Sequence, residues 1–290
     1  MKLLILGASG LLGNTLIKYF FRKSNYQTFG TIRDNLQVNF FDKKYHKNFR
    51  ILNDILNFAE LENIIDNFRP NVVINCIGLN NKIKKNDFFT IEKYILINSL
   101  YPHKLQSICS RFGIRLIQLS SDCVFSGIKG NYSEKDLPDP LDIYGKSKLM
   151  GELESDNCLT IRKSVIGHEL ITKEGLLDWF LSRNDKVEGY ERAIFSGLTV
   201  LELARIIDNF ILPRTKLKGI LHIAGFPISK YDLLRIISSE YKKSIELIPN
   251  DSLKVNRSLD STYFTRLTGY QIKPWPLLIK SMREFNLLNQ

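Results

Sequence analysis

The hydrophobic positions of this chain change period along its length, and each change marks an element. Residues 2–6, Lys-Leu-Leu-Ile-Leu, are an aliphatic run with no polar alternation. That is the pattern of a strand covered on both faces, as parallel sheets require. Gly7 stops it. Leu12, Leu16 and Phe20, with Ile17 and Phe21 beside them, then recur at helical spacing and predict a helix over residues 13–23. The alternation repeats with a strand at 26–32 and a short third strand at 52–55. A helix opens at Asn57-Phe58-Ala59-Glu60, which has the form of a capping box, and Pro70 closes it. A strand at 71–78, a helix at about 91–111 and a strand at 115–122 follow. A stretch rich in Gly, Asn, Asp and Pro from 125 to 140 reads as loop. Beyond it come a helix opening at Tyr144 and a sixth strand at 159–167. The alternation then weakens into helices at 174–183, 199–210 and 229–242, with strands at 219–224 and 245–249. Strands and helices in this order predict an α/β chain. A doubly wound parallel sheet is expected over residues 1–167. A smaller, interleaved substrate-binding portion is expected over 168–290, of which 196–225 returns to the sheet.

The turn after the first strand carries the first chemistry. Gly7-Ala8-Ser9-Gly10-Leu11-Leu12-Gly13 spaces three glycines as G-x-x-G-x-x-G between an apolar strand and an amphipathic helix. One glycine permits the tight turn, one lets a pyrophosphate approach the backbone, and one lets helix and strand pack closely. The helix amides and the positive end of the helix dipole make an anion site there. The turn therefore predicts a Rossmann-type dinucleotide site using Gly7, Ser9, Gly10, Leu11, Leu12 and Gly13. The second strand ends Gly30-Thr31-Ile32-Arg33, and Arg33 suits the 2′-phosphate of NADPH rather than the free ribose of NADH, the alternative donor. Asp54 and Ile55 are placed to face the adenine. Cys76, Ile77 and Gly78 let the cofactor lie across the end of the fourth strand.

Composition narrows the partners. The 290 residues are 44% hydrophobic and 24% charged, a soluble globular balance long enough for one nucleotide-binding domain and an appendage. The net charge of +11 raises a nucleic-acid reading, but the basic residues are spread and the densest runs, 42–47 and 82–85, are short. Solvated faces explain them better, and a basic surface also attracts an anionic nucleotide substrate. The cysteines at 76, 109, 123 and 158 have no metal-ligand spacing and read as small buried apolar residues in a reducing compartment, the cytoplasm. No metal site is expected. Three glycines within seven residues argue against a signal peptide at the start, and no run reaches the roughly 18 apolar residues that cross a bilayer. A homodimer is left open.

Tyr144 and Lys148 stand four apart and so share a helix face. An ammonium there favours the ionised phenol, which makes the phenol useful as a general acid. Tyr19 and Lys23 have the same spacing and are expected to be only a surface pair. Tyr144 follows a strand ending in Ser120-Ser121-Asp122, so a hydroxyl and a phenol can converge on one carbonyl oxygen.

Taken together, Gly7-x-x-Gly10-x-x-Gly13, Ser120-Ser121-Asp122-x-Val124-Phe125-x-Gly127 and Tyr144-Gly145-x-Ser147-Lys148-Leu149-x-Gly151-Glu152 resemble the extended short-chain dehydrogenase/reductases. The closer likeness is to the dTDP-4-dehydrorhamnose reductase branch. It extends through Arg162-x-Ser164 and Arg257-Ser258-Leu259-Asp260-Ser261. The resemblance implies NADPH as hydride donor and a 4-keto-6-deoxy nucleotide sugar as acceptor. It makes Tyr144 the proton donor to the C4 oxygen, Lys148 the residue that holds the nicotinamide ribose, and Ser121 a second hydrogen-bond donor to that oxygen. Asn98 is implied near the lysine. On the substrate side it points to Asp122 and to Val165, where rhamnose reductases carry an aromatic. His168, Trp179, Arg192 and Ser196 are the remaining substrate candidates. Several of these segments are similar to a sub-branch acting on UDP-linked 2-acetamido-2,6-dideoxy-4-keto hexoses for surface polysaccharide such as O-antigen. An epimerase or dehydratase of the same family, and a non-catalytic subunit like the regulatory partner of methionine adenosyltransferase, are the other readings.

Overall fold

A computed structural model describes residues 1–80 and 88–289; the basic run at 82–85 lies outside them. Strands Lys2–Leu6 (β1), Gln27–Ile32 (β2), Phe49–Ile51 (β3), Val72–Asn75 (β4), Arg115–Leu119 (β5) and Cys158–Arg162 (β6) join Gly219–His222 in a seven-stranded sheet. From the Gly219–His222 edge the order is β6, β5, β4, β1, β2, β3. Every pairing from β3 through to β6 is parallel. The chain runs outward from β1 to β3, then returns to the other side of β1 as β4. That reversal is the switch point of a doubly wound sheet, and ligands of such sheets lie outside the strand carboxyl ends there.

The aliphatic run of β1 behaves as its pattern requires, with Leu3, Leu4, Ile5 and Leu6 all fully buried. Helices Leu11–Phe21 (α1), Phe58–Phe68 (α2), Phe88–Tyr94 (α3), Tyr101–Arg111 (α4) and Ile143–Met150 (α5) flank the sheet. Leu61, Ile65 and Phe68 of α2 and Leu105, Ile108 and Cys109 of α4 pack with Leu4, Leu6, Val73 and Leu116 in one core. The expected capping box is present, with Asn57 Oδ1 accepting from the Glu60 amide at 3.2 Å.

Three expectations are corrected. The third strand is Phe49–Ile51, paired with Gly30–Ile32, rather than 52–55. Past it, Asn53 and Asp54 side chains accept from the amides of Asp54 and Leu56 and turn the chain out of the sheet. The helix at 91–111 is not uniform: it runs unbroken from Phe88 to Arg111, but Ile95–Leu100 between α3 and α4 is π-helical. The cysteines divide in two. Cys109 and Cys158 are buried, which pushes both thiols up to about 12, whereas Cys76 and Cys123 are half-buried.

Two compact units are built from interleaved segments: Met1–Ser120, Pro140–Ile161 and Lys216–Ile220 form one, and Ser121–Asp139, Arg162–Thr215 and Leu221–Gln290 the other. The second unit combines helices Leu176–Ser182, Val200–Ile206, Lys230–Tyr241, Thr262–Thr268 and Trp275–Leu287 with short strand pairs. One of its buried acids, Glu202, is bonded by Lys273, Arg205 and Tyr270. Among the described residues no helix is long and apolar enough to cross a membrane.

Candidate active site

The glycine turn is built for close approach. Gly7 has φ +76°, and its amide donates to Thr31 Oγ1 at 3.0 Å. A Cβ on Gly13 would fall 2.0 Å from the Gly7 oxygen, so only glycine lets α1 lie against the turn. Gly10 caps α1 with no side-chain hydrogen bond and with no acid in the first turn. Ser9, Leu11 and Leu12 therefore belong to an amide-lined helix start with no anion of its own, which fits the phosphates of a dinucleotide.

At the end of β2 Arg33 is exposed, its amide bonded to Gln37. Asp34 follows it, an acid that the sequence reading passed over. Its Oδ1 accepts from the Leu36 amide at 2.8 Å and caps the next turn. Asp54 is exposed and likewise caps its own turn, while Ile55 beside it is half-buried.

The first unit holds Tyr144 and Lys148. Lys148 is 7% exposed, and its Nζ donates to the Leu119 carbonyl, at the carboxyl end of β5, at 2.8 Å. Tyr144 lies one turn earlier on α5 and is half-buried, its ring 6.1 Å from that of Tyr94 in an edge-on contact. Asp142 starts this helix by accepting from the Gly145 amide at 2.7 Å. Asn98 pins it. Its Nδ2 donates to Ser147 Oγ at 3.0 Å, and its Oδ1 accepts from the Leu79 amide at 2.9 Å. The π-helical turn presents Asn98 at this point, and the Asn98 backbone carbonyl oxygen is so close to Gly151 that a Cβ there would sit 1.8 Å from it. Beyond β4, Asn75 orders the chain by accepting from the Ile77 amide. Cys76 and Ile77 lead to Gly78, where a Cβ would lie 3.3 Å from Asn98 Oδ1 and 3.7 Å from Lys148 Nζ. Gly78 thus lets the backbone come close to the ammonium without a side chain between them.

The second unit begins with the other hydroxyl. Ser121, 5% exposed, donates to Asp122 Oδ1 at 3.1 Å and accepts from the Cys123 amide. Val165 is half-buried in a short strand paired with Leu198. His168 has both ring nitrogens engaged, by Asp178 and by the Tyr241 hydroxyl, each at 2.8 Å. Burial raises the Tyr241 pKa, and the Asp178 carboxylate raises it further. Ser196 is 1% exposed and accepts from the Leu259 amide. Those bonds give His168 and Ser196 duties in holding the fold. Trp179 is half-buried under the Arg183 guanidinium, and Arg192 is exposed in a turn. Sequence reasoning missed Lys230, and it named Arg257 without a role. Both lie against the Asp122–Val124 turn, and nothing in their spacing announces it.

The RmlD substrate binding domain family matches residues 1–275. A dTDP-4-dehydrorhamnose reductase from Aggregatibacter actinomycetemcomitans is 26% identical, over 98% of this chain and 99% of that protein. Methionine adenosyltransferase 2 subunit beta from Xenopus laevis is 31% identical, but over 52% of this chain and 41% of its own length. The crystal structure of dTDP-4-dehydrorhamnose reductase from Bacillus anthracis in complex with NADP has a similar fold. Its TM-score is 0.77 at 22% identity, over 98% of each chain.

Proposed function

The chain belongs to the RmlD substrate binding domain family, and from that premise we propose that it reduces the C4 ketone of a nucleotide-activated 6-deoxy-4-keto sugar with NADPH. The sugar is dTDP-4-dehydrorhamnose or a UDP-2-acetamido-2,6-dideoxy-4-hexulose, and the product serves polysaccharide or O-antigen precursor synthesis. What carries this reading is the seat of Lys148, an ammonium 2.8 Å from the end of β5 on a helix that Asn98 pins. Bound NADPH supplies the hydride. Tyr144 gives its phenolic proton to the ketone oxygen, and the positive charge of Lys148 stabilises the phenolate left behind. Lys148 also holds the nicotinamide ribose. Ser121 turns its hydroxyl from Asp122 to the same ketone oxygen and helps to hold the developing charge. A solvent proton then restores the phenol, so the sugar gains one hydride and one proton.

The test is incubation with NADPH and a panel of dTDP-, UDP- and GDP-4-keto sugars, followed by mass analysis. One ketosugar should gain two hydrogens with equal loss of NADPH. Turnover without net NADPH loss would make the protein an epimerase or dehydratase. Tight NADPH binding with no turnover of any member would favour a non-catalytic regulatory subunit; the relatives that match half of the chain are methionine adenosyltransferase 2 subunits beta.

A further inference from the structure

Lys230 is the first residue of the helix Lys230–Tyr241, and its ammonium stands 4.2 Å from the centroid of the Phe195 ring. Phe195 is buried and packs on Trp275 with ring centroids 5.3 Å apart. Gly197 makes room for that ring, since a Cβ there would lie 2.3 Å from Phe195 Cζ. Burial lowers the Lys230 pKa, and the groups that oppose the shift are Asp122 and Cys123. Among the described residues, however, no carboxylate pairs with this ammonium and no acceptor is hydrogen-bonded to it. A half-buried charge with an aromatic face and no acceptor gains when something supplies one.

A second cation meets the same turn. Arg257 donates from Nε to the Phe125 carbonyl at 3.0 Å, and its Nη1 is 3.9 Å from Cys123 Sγ. Gly127, at φ +88°, lets the loop close on it, because a Cβ there would fall 3.0 Å from Arg257 Cγ and 2.4 Å from Val255 Cγ2. Both cations therefore lie beside Cys123, and the one carboxylate of that turn, Asp122, is already accepting from Ser121. The excess is positive, it is walled by Phe195, and it begins one residue past Ser121. Point-charge and forked donors of this kind suit phosphate oxygens.

We propose that Lys230, assisted by Arg257, is the seat of the substrate's diphosphate, an inference that rests on the nucleotide-sugar reading above. Lys230 is then a binding residue that sets how the sugar end reaches Ser121.

The experiment is calorimetric titration of the NADPH-bound protein with UDP and with dTDP, for wild type, Lys230→Met and Arg257→Gln. Wild type should bind at least one of them. Lys230→Met should weaken that binding by about 10- to 100-fold, the worth of a charge-assisted bond, and Arg257→Gln by less. NADPH affinity should be unchanged. The melting temperature of Lys230→Met should hold or rise, because a half-buried charge without an ion-pair partner has been removed, whereas a purely structural lysine would lower it. Wild type that binds neither diphosphate, or Lys230→Met that binds within twofold of wild type, overturns the seat. If binding depends on Lys230 but no ketosugar is reduced, the seat stands and the reductase reading fails. If reduction proceeds with an unchanged KM in Lys230→Met, the reverse holds.

Discussion

Tyr19 with Lys23 and Tyr144 with Lys148 are the same pair of residues at the same spacing, and the fold treats them in opposite ways. Helix α1 ends at Phe21 and Arg22 caps it, so Lys23 stands beyond the helix. Its ammonium lies 5.0 Å from the centroid of the Tyr19 ring, a cation–π contact with the ring face. Tyr144 and Lys148 both lie inside α5, and the Lys148 ammonium is drawn to the Leu119 carbonyl instead of to a ring. In one pair the lysine turns back onto the tyrosine ring. The other is opened towards the strand ends by an acceptor on β5 and by the Asn98 brace on Ser147. Spacing puts two groups on a face; what each group is bonded to decides whether they are available for chemistry.

The comparison breaks most visibly at the phenols. Tyr144→Phe should lower kcat about 10³-fold with NADPH affinity unchanged, as loss of a general acid does, while Tyr19→Phe stays within about twofold. Stopped-flow NADPH oxidation with the accepted ketosugar reads both, and equal effects would erase the distinction.

The same lesson applies to an ionisable group in the other unit. His222 is fully buried between the Arg162 guanidinium, which donates to Nε2 at 3.2 Å, and the Tyr132 carbonyl. Burial first, and then the Arg162 charge, lower its pKa to about 4 from the ordinary 6.5. Above pH 6.5 neither folded nor unfolded protein binds this proton. Between 6.5 and about 4 only the unfolded chain does, so stability falls as the pH drops, by on the order of 3 kcal/mol. Urea unfolding at pH 7 and 4.5, with His222→Gln as the non-titrating reference, measures the difference.

At the ammoniums, Lys148→Met should cost about 10²-fold in kcat and also weaken NADPH, whereas Lys23→Met should do neither. Steady-state kinetics with a cofactor titration separates the two. Asn98→Ala sharpens the comparison most finely, because it leaves Tyr144 and Lys148 in place and removes only the brace. Loss of its bonds to Leu79 and Ser147 should reduce kcat about 10-fold and lower the melting temperature by several degrees, since each lost bond costs about 1 kcal/mol. An unchanged kcat would mean that the Leu119 carbonyl alone positions the lysine.

Much of this molecule is legible locally. The apolar run of β1, the glycines of the turn, the Asn57 cap and the Tyr144–Lys148 helix each follow from a few neighbouring residues, because burial on two faces, positive φ and capping are short-range demands. Those patterns determine an α/β chain with a glycine turn suited to a dinucleotide and a tyrosine–lysine pair on one helix face. The π-helical turn at Ile95–Leu100 was hidden, since hydrophobic spacing does not separate one kind of helical turn from the other. Asn98 gains its use from Ser147, 49 residues away, and His168 and Ser196 are bonded to partners 73 and 63 residues away. Lys230 and Arg257 meet the Asp122 turn from more than 100 residues further along the chain. Tertiary packing alone decided which polar groups are satisfied and which are left open, because that depends on groups that no local pattern can bring together.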